Sequence, residues 1–374
     1  CRGLRDLGPD LENGKATASD DFSMIKVFVK APATTVDSTT APPTTTTTQA
    51  ESTTLESGGL PLFLQPLDVS LRDDPTAFRE WLVQNREPLE ALLLEHGALV
   101  FRGFAVRETS DFSRLFEHYP DGGFGYRGGA APRDELAPRV FESTQIPAED
   151  VLLAHQEMSY LPNPPTKIAF YCRAPSVSGG ETLIANMRTV TKTLPKSLVE
   201  AVTEKGVQYI RNLRDKSISS GNSYLDGMHA SWQSSIETDD PAKALADCAG
   251  LGLTAEWLDD GSLSTSYVAP TGIRPHPESG EPVWFNQIAG STFRRESLGH
   301  RFEAYEQYYG STKPIPHDTN YGDGSPIGES DMRALYSTLF AHTLRFPWSA
   351  GDVMLVDNWF TAHGRNSFTG LRNV

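Results

Sequence analysis

Residues 154–160 read AHQEMSY, and the interpretation of the whole chain starts from them. The apolar run before His155 is typical of a buried strand. Side chains two residues apart on a strand point to the same face, so His155 and Glu157 can offer a nitrogen and an oxygen to one ion. For the third ligand we predict His363, in the stretch DNWFTAHGR at 357–365. Two histidines and one carboxylate are the set that holds non-haem Fe(II) and leaves the opposite positions open.

The His-x-Glu pattern alone is weak. Nine histidines and 48 acidic residues among 374 positions give about one His-x-Asp/Glu by chance. A second copy, His276 to Glu278, lies in RPHPESG at 274–280, whose prolines and glycine are typical of a turn. Proline also removes a donor from a strand ladder. We therefore interpret His276 and Glu278 as a surface turn, and His155 and Glu157 as the metal pair.

Several other motifs stand in a set order along the chain. They are HGALVFRGF (96–104), GGAAPR (128–133), GGET (179–182), VWFN (283–286) and WSAGDV (348–353). With AHQEMSY and DNWFTAHGR, this order resembles the taurine dioxygenase and clavaminate synthase-like family of Fe(II)/2-oxoglutarate-dependent oxygenases, and within it the plant clavaminate synthase-like proteins. The resemblance runs from about residue 60 to the last residue. It implies a mainly β fold with flanking helices around a double-stranded β-helix (jelly-roll) core.

The resemblance also implies which residues hold the cosubstrate 2-oxoglutarate. Thr182 follows two glycines at the start of a strand, where the matching threonine of the family contacts 2-oxoglutarate. The far carboxylate of 2-oxoglutarate needs a cation, because an unpaired buried charge is very costly. A guanidinium can bind it through two parallel hydrogen bonds, and Arg372 matches the family position. Arg365 is the competing residue, and we assign it to substrate binding or to a structural ion pair.

On this resemblance the chain is expected to use Fe(II), 2-oxoglutarate and O2 and to release succinate and CO2 while it hydroxylates a C–H bond. An amino acid or a related small polar metabolite is the substrate class that the family implies. Four side chains are predicted substrate contacts: Tyr126, Arg133, Asn286 and Arg365. Tyr126 and Arg133 also fit a flexible surface loop, and Ser143 and Thr144 are further candidates for the same cavity.

Two other functions stay open. A zinc hydrolase could use the same three ligands and an activated water, and it would need neither Thr182 nor Arg372. A sensor or pseudoenzyme could bind 2-oxoglutarate without turnover. Glu157 as the carboxylate argues against a halogenase, in which a small residue leaves room for halide.

Net charge and cysteine spacing indicate which classes of binding partner and which cellular compartment to expect. The net charge is −15, with a pI near 5.1, which argues against nucleic acid and against an anionic membrane surface. No apolar run in the sequence is long enough to span a bilayer. The three cysteines show no CxxC spacing, as is usual in a reducing compartment. We expect a small-molecule substrate and a cytoplasmic location, and homo-oligomer formation stays open.

The composition divides the chain into two segments. Residues 1–58 are polar, with a Thr-rich run at 31–54 that cannot bury enough apolar surface, so we predict disorder there; a glycosylated stalk is the alternative. Residues 59–374 suit one oxygenase domain with a helical and loop insertion at about 186–280. The chain begins with Cys1 and ends at Val374, directly after the predicted cosubstrate arginine. We therefore expect a missing N-terminus and a shortened C-terminal strand.

Local patterns predict the flanking elements. Apolar spacing predicts a helix over 75–95, with Asp74 as its cap, and a second helix near 110–117 capped by Ser110. Residues 167–172 are predicted to form a central strand, in which Cys172 is a small buried hydrophobe. Residues 353–358 are predicted to form the buried strand that leads to His363.

Overall fold

The computed structural model describes residues 59–119, 135–142, 146–222, 225–226, 229–310, 313–372 and 374, and only the backbone of residues 25–29, 50–54, 142 and 300. The predicted substrate contacts Tyr126 and Arg133 lie outside the described residues, as do Ser143 and Thr144.

Strands and helices alternate along the chain. In chain order the strands are β1 (Ile25–Val29), β2 (Ala50–Thr54), β3 (Leu62–Pro66), β4 (Ala98–Phe101), β5 (Glu135–Ala137), β6 (Val140–Glu142), β7 (Leu152–His155), β8 (Lys167–Tyr171), β9 (Ser178–Gly179), β10 (Thr182–Asn186), β11 (Val207–Leu213), β12 (Thr254–Trp257), β13 (Leu263–Ala269), β14 (Ile273–Pro275), β15 (Pro282–Trp284), β16 (His317–Tyr321), β17 (Thr343–Phe346), β18 (Val353–Asp357), β19 (Thr361–Arg365) and β20 (Phe368–Thr369). The helices are α1 (Val69–Asp73), α2 (Pro75–Gln84), α3 (Arg86–His96), α4 (Thr109–Leu115), α5 (Met187–Thr193), α6 (Lys196–Lys205), α7 (Trp232–Ile236), α8 (Pro241–Gly250), α9 (Ile288–Ser291), α10 (Arg295–Leu298), a 3-10 turn (Gly299–Arg301), α11 (Phe302–Tyr309) and α12 (Glu329–Ala341). No helix in the described part of the chain combines the length and the apolar character that crossing a bilayer requires.

Two sheets form the core. The larger has the strand order β2-β3-β4-β18-β8-β1-β6-β5 and the smaller has the order β17-β10-β19-β7. Phe170 and Met354 of the larger sheet belong to one buried apolar cluster with Ile184 and Phe346 of the smaller sheet. Two sheets closed over a shared apolar interior are the predicted jelly roll, so the mainly β fold class is confirmed.

Helices α2 and α3 cover the other face of the larger sheet, where Phe78 and Leu93 pack with Leu355. Asp74 caps α2 as predicted, since its side chain accepts from the backbone of Thr76. The single helix predicted over 75–95 is in fact two. At Asn85 the side-chain amide donates to the carbonyl of Trp81 at 2.8 Å, and such side-chain bonds compete with helix continuation.

The predicted cap at Ser110 is wrong. Helix α4 begins at Thr109, and Glu108 is its N-cap residue. Ser110 lies inside the first turn, and its hydroxyl donates to the carboxylate of Glu108 at 2.5 Å. The serine is therefore two positions too far along the chain to be the N-cap residue.

Two strands fall in the N-terminal segment that was predicted to be disordered. Strand β1 pairs with β8 and β6, and β2 pairs with β3. For residues 25–29 and 50–54 the prediction of disorder is therefore wrong. The sequence of β1, IKVFV, is rich in β-branched and aromatic residues, and β8 offers backbone groups that need a partner. The composition of the surrounding segment concealed this short run.

The insertion between β10 and β17 covers residues 187–342, which is longer than the predicted 186–280. It is also less helical, because it carries a four-stranded sheet in the order β12-β13-β11-β16. Val202, Val207 and Leu335 of the insertion share an apolar cluster with Leu153 and Trp359 of the barrel. The insertion is thus packed against the edge of the smaller sheet that carries β7.

Candidate metal centre

The fold brings His155, Glu157 and His363 together. Nε2 of His363 lies 3.3 Å from Oε2 of Glu157, and Nε2 of His155 lies 3.7 Å from the same oxygen. One ligand atom from each residue lies within 4.8 Å of the others. The side chains of Glu157 and His363 are 3% exposed, whereas that of His155 is 12% exposed. The three residues form a compact donor set that is open mainly at His155.

The spacing of these atoms fits a single metal ion. Two ligands at right angles around an ion, each about 2.1 Å from it, lie about 3 Å apart. The two measured separations from Glu157 exceed this by less than 1 Å. Nδ1 of His155 lies 2.8 Å from the carbonyl oxygen of Leu153, which favours a proton on Nδ1 and leaves Nε2 as the donor. The residues present can therefore hold one divalent ion through two imidazoles and one carboxylate.

Glu157 does not lie on the strand that was predicted to carry it. Strand β7 ends at His155, and Glu157 belongs to the following turn, beside Met158, whose φ is 54°. Asn358 fixes this turn: its Oδ1 accepts from the backbone N–H of Glu157 at 2.8 Å, and its Nδ2 donates to the carbonyl of Glu157 at 3.0 Å. The prediction that His155 and Glu157 share one face of a strand is therefore wrong, although their side chains do lie 3.7 Å apart.

A glycine allows His363 to approach His155. The two histidines are opposite each other where β19 pairs with β7, and the register shifts before Arg365. A Cβ added at Gly364 would lie 2.3 Å from the carbonyl oxygen of Leu152, well inside van der Waals contact. The glycine after the histidine is thus a requirement of close strand approach.

His276 is buried, contrary to the predicted surface turn. Its Nε2 lies 2.9 Å from Oδ2 of Asp357, and its ring stacks on Phe360 with centroids 4.1 Å apart. Asp357 Oδ1 also accepts two backbone N–H groups of the turn before β19. Glu278 does lie in a turn, where it pairs with Lys167 at 2.5 Å. The proline pattern indicated the turn but not the barrel residues that cover it.

The two predicted cosubstrate residues lie near one another around the GGET turn. Arg372 donates from Nε to the carbonyl of Gly180 at 2.8 Å, and a Cβ at Gly180 would lie 2.8 Å from that guanidinium nitrogen. Burial and the nearby Arg365 lower the pKa of Arg372 to about 9. A bound carboxylate would offset both effects, because an opposite charge favours the charged form. The surroundings of Arg372 at the GGET turn therefore suit an anionic ligand.

Trp348 holds the hydroxyl of Thr182. Its indole Nε1 donates to Thr182 Oγ1 at 2.8 Å, which leaves the hydroxyl hydrogen to donate elsewhere. The turn that carries Trp348 is fixed by Arg102, whose Nη2 lies 2.6 Å from Oδ2 of Asp352. The motifs HGALVFRGF, GGET and WSAGDV thus meet in one hydrogen-bonded unit that includes Thr182, a predicted cosubstrate residue.

Asn286 and Arg365 do not take the predicted substrate positions. The guanidinium of Arg365 donates to three backbone carbonyls within residues 146–150, at 2.6 to 3.0 Å. The side chain of Asn286 bonds to backbone groups of Gly272 and Ile288 at 3.0 and 3.1 Å. Neither belongs to the described residues that line the pocket beside the donor set. Both side chains fix loops, a role that sequence cannot separate from ligand binding.

A pocket of about 170 Å³ opens beside the donor set. His155 and Glu157 line one side of it. The wall formed by the insertion includes Arg211, Arg301, His317 and Asp318. Arg211 and His317 are opposite each other where β11 pairs with β16. Sequence reasoning missed this wall, because the insertion carries no motif that indicates which polar side chains meet.

The insertion wall carries arginines, histidines and a carboxylate. Arg301 is 7% exposed, and its Nε lies 3.6 Å from Oδ2 of Asp150. Arg211 Nη2 donates to Ser235 Oγ at 3.3 Å. Burial, and then the charges of Arg211, His229 and Arg301, lower the pKa of His317 to about 4. The His317 ring is therefore neutral near pH 7.

Comparison with known proteins identifies the family. The family model described as "Taurine catabolism dioxygenase TauD, TfdA family" matches residues 64–374. The chain is 30% identical over 290 residues to the dapdiamide synthesis protein DdaC of Enterobacter agglomerans, which is 78% of this chain and 84% of that protein. It is 28% identical over 325 residues to the clavaminate synthase-like protein At3g21360 of Arabidopsis thaliana, 85% of this chain and 93% of that protein.

Among solved structures, PvcB from Pseudomonas aeruginosa aligns over 88% of this chain and 90% of that chain, with a TM-score of 0.48 and 16% identity. The family assignment rests on the two sequence matches, to the family model and to DdaC, which each cover well over half of the chain. The predicted resemblance is confirmed. The chain belongs to the TauD/TfdA family and is an Fe(II)- and 2-oxoglutarate-dependent oxygenase, with O2 as its second cosubstrate.

Proposed function

We propose that the protein hydroxylates an amino acid or a related small polar metabolite, with release of succinate and CO2. One observation carries this proposal: the donor pair His155 and Glu157 lines a pocket whose insertion wall holds both cationic and anionic residues, including Arg211 and Asp318. A volume of about 170 Å³ is more than ten times the roughly 10–15 Å³ that a cavity needs, on the same kind of measure, to hold one water. The size and the mixed charge suit a small zwitterion better than a polymer or an apolar ring system. The similar protein DdaC is named for a synthesis, which supports a metabolite as substrate.

In this proposal His155, Glu157 and His363 hold the ferrous ion. When bound, that ion supplies the redox chemistry that links decarboxylation of 2-oxoglutarate to oxidation of a C–H bond. The oxidation would take place beside the pocket, because His155 and Glu157 both line it. The burial of Glu157 and His363 keeps bulk water from their side of the centre.

Thr182 and Arg372 bind 2-oxoglutarate in this proposal. Thr182 lies two residues from Ile184, which is opposite His363 where β10 pairs with β19. Two residues span about 7 Å along a strand, a distance that a five-carbon diacid can bridge. Arg372, which donates to the carbonyl of Gly180, binds the far carboxylate of 2-oxoglutarate. The Thr182 hydroxyl, which accepts from Trp348, donates to a carboxylate oxygen of the same molecule.

The test is succinate formation with Fe(II), 2-oxoglutarate, ascorbate and O2 in the presence of each of the standard L-amino acids. We expect at least one of them to raise succinate release above the uncoupled rate and to gain one oxygen atom by mass spectrometry. An anaerobic titration with Fe(II) and 2-oxoglutarate should also produce a weak visible charge-transfer band. A band without any substrate-stimulated turnover would favour the sensor alternative, and hydrolysis by the Zn(II)-loaded protein would favour the hydrolase.

A further inference from the structure

We infer that Arg211 and Arg301 form an anion subsite on the insertion wall, and that the substrate presents a carboxylate to it. This inference rests on the proposed function, because the subsite belongs to the same pocket. It adds the chemical group that the protein recognises and the residues that recognise it.

The geometry places two guanidinium groups in the pocket that the donor set lines. Arg211 lies on β11 and Arg301 at the end of the 3-10 turn, and both line the pocket together with His155. The chain as a whole has a net charge of −15. In such an acidic protein, two guanidinium groups in one small cavity offer a binding site for an anion.

Carboxylates also lie at or beside this wall, and one of them pairs with Arg301. Asp150 lies 3.6 Å from Arg301. Asp318 accepts from the backbone N–H of Phe293 at 3.5 Å. His229, which also lines the pocket, bonds through Nδ1 to Tyr309 Oη at 2.7 Å. His317 is neutral near pH 7, since burial and the cations around it lower its pKa to about 4.

A carboxylate fits this wall better than a neutral group does. Desolvating a guanidinium is costly, and an anionic ligand that accepts two parallel hydrogen bonds offsets the cost. The neutral ring of His317, opposite Arg211 in the strand pairing, can add a hydrogen bond without further charge. A substrate anchored there by its carboxylate would extend the rest of its length toward His155 and Glu157.

The experiment compares free L-amino acids with their carboxamides. Each is titrated anaerobically into the protein loaded with Fe(II) and 2-oxoglutarate, and the shift of the visible band reports binding. We expect the best-bound amino acid to lose at least about tenfold in affinity as its carboxamide. In R211Q we expect its Kd to rise about 10- to 100-fold, the range for a charged pair that loses one partner, while the Fe(II) and 2-oxoglutarate titration matches that of the wild type.

Two further variants make the outcome decisive. R211K keeps the charge but not the two-pronged geometry, so we expect it to recover part of the affinity. R333Q changes an arginine on α12 that is 75% exposed, and it should bind like the wild type. Carboxamides that bind as tightly as acids, or an unchanged Kd in R211Q, would overturn the subsite alone. A wild-type protein that gives no band at all would remove the proposed function, and the subsite with it.

A separate observation carries a second inference: we infer that Asn358 is a positioning residue for Glu157. Asn358 is fully buried. Besides its two bonds to the backbone of Glu157, its Nδ2 donates to the carbonyl of Pro165 at 2.7 Å. The amide therefore replaces the strand partner that Glu157 lacks once β7 has ended at His155.

The test of this role is metal affinity rather than turnover. We expect N358A to lower the affinity for Co(II), a spectroscopic substitute for Fe(II), by about 10- to 100-fold, as loss of an outer partner of a metal ligand does. The visible spectrum of bound Co(II) should change as well, because the carboxylate is no longer held in place. N286A is the matched control, since Asn286 is also buried and also bonds to backbone. If N358A and N286A lose similar stability but both bind Co(II) like the wild type, Asn358 has only a structural role.

Discussion

The two walls of the pocket are built in different ways. On the barrel side the backbone decides the geometry: Asn358 fixes the turn at Glu157, and Gly364 lets β19 approach β7. On the insertion side Arg211 and Arg301 reach the pocket as long side chains held by a few polar contacts. A metal needs its ligands within a few tenths of an ångström, whereas a substrate pocket can change by side-chain replacement. In our proposal the barrel wall therefore carries the chemistry, and the insertion wall determines which substrate binds.

The largest expected effect is on the barrel wall. We predict that His363→Ala lowers the affinity for Fe(II) or Co(II) by more than about 100-fold, because a ligand matters more than the outer partners, whose loss costs about 10- to 100-fold. Anaerobic metal titration measures this. His276→Ala is the control, since His276 belongs to the other His-x-Glu copy and is equally buried. It should lower the stability and change metal affinity far less. Equal losses in both variants would contradict the assignment of the donor set.

Arg372→Ala should separate the cosubstrate from the metal. We expect the Kd for 2-oxoglutarate to rise about 100-fold, since truncating one partner of a buried charged pair costs several kcal/mol, with metal affinity unchanged. Arg345→Ala, at an exposed position of β17, should change neither quantity. Should Arg365→Ala raise that Kd while Arg372→Ala does not, the two arginines have been assigned in the wrong order.

Gly364→Ala tests the close strand approach on which the barrel wall depends. The added methyl would meet the carbonyl oxygen of Leu152 at 2.3 Å, so we expect a loss of about 1–3 kcal/mol in the free energy of unfolding and weaker metal binding. Gly250→Ala is the control, because apart from its chain neighbours and its own helix nothing lies within 4 Å of a Cβ at that position. Urea unfolding of both variants measures the free energy of unfolding. Equal values for the two variants would mean that β19 and β7 can move apart without loss of stability.

The smallest predicted effect concerns pH and the insertion wall. Folding lowers the pKa of His317 from 6.5 to about 4. The unfolded chain therefore binds the proton first as the pH falls, and stability is lost below about pH 6.5 until the folded state also titrates near pH 4. We expect this to contribute about 1 kcal/mol of lost stability between pH 7.5 and pH 5.5. Unfolding of the wild type and of His317→Asn at both values measures it. A wild-type loss no larger than that of His317→Asn would contradict it.

Sequence reasoning worked where a residue's role is local or part of a fixed motif. Asp74 before Pro75 gave the cap of α2, and the apolar run at 167–172 gave a central strand with Cys172 buried beside it. It failed where a role depends on distant partners. His276 has a buried carboxylate from β18 as its neighbour, and Arg365 uses its guanidinium on the carbonyls of residues 146–150. Neither partner is close to these residues in sequence.

By itself the sequence determined the jelly-roll class, the family and the two segments, AHQEMSY and DNWFTAHGR, that meet at the donor set. Only the tertiary structure decided that Glu157 lies in a turn held by Asn358, and that Arg211 and Arg301 line the same small pocket. The physical reason is the sequence separation over which each kind of interaction acts. Strand pattern, turn chemistry and motif order act through neighbours in the chain, whereas the charge and shape of a cavity come from residues that only packing brings together.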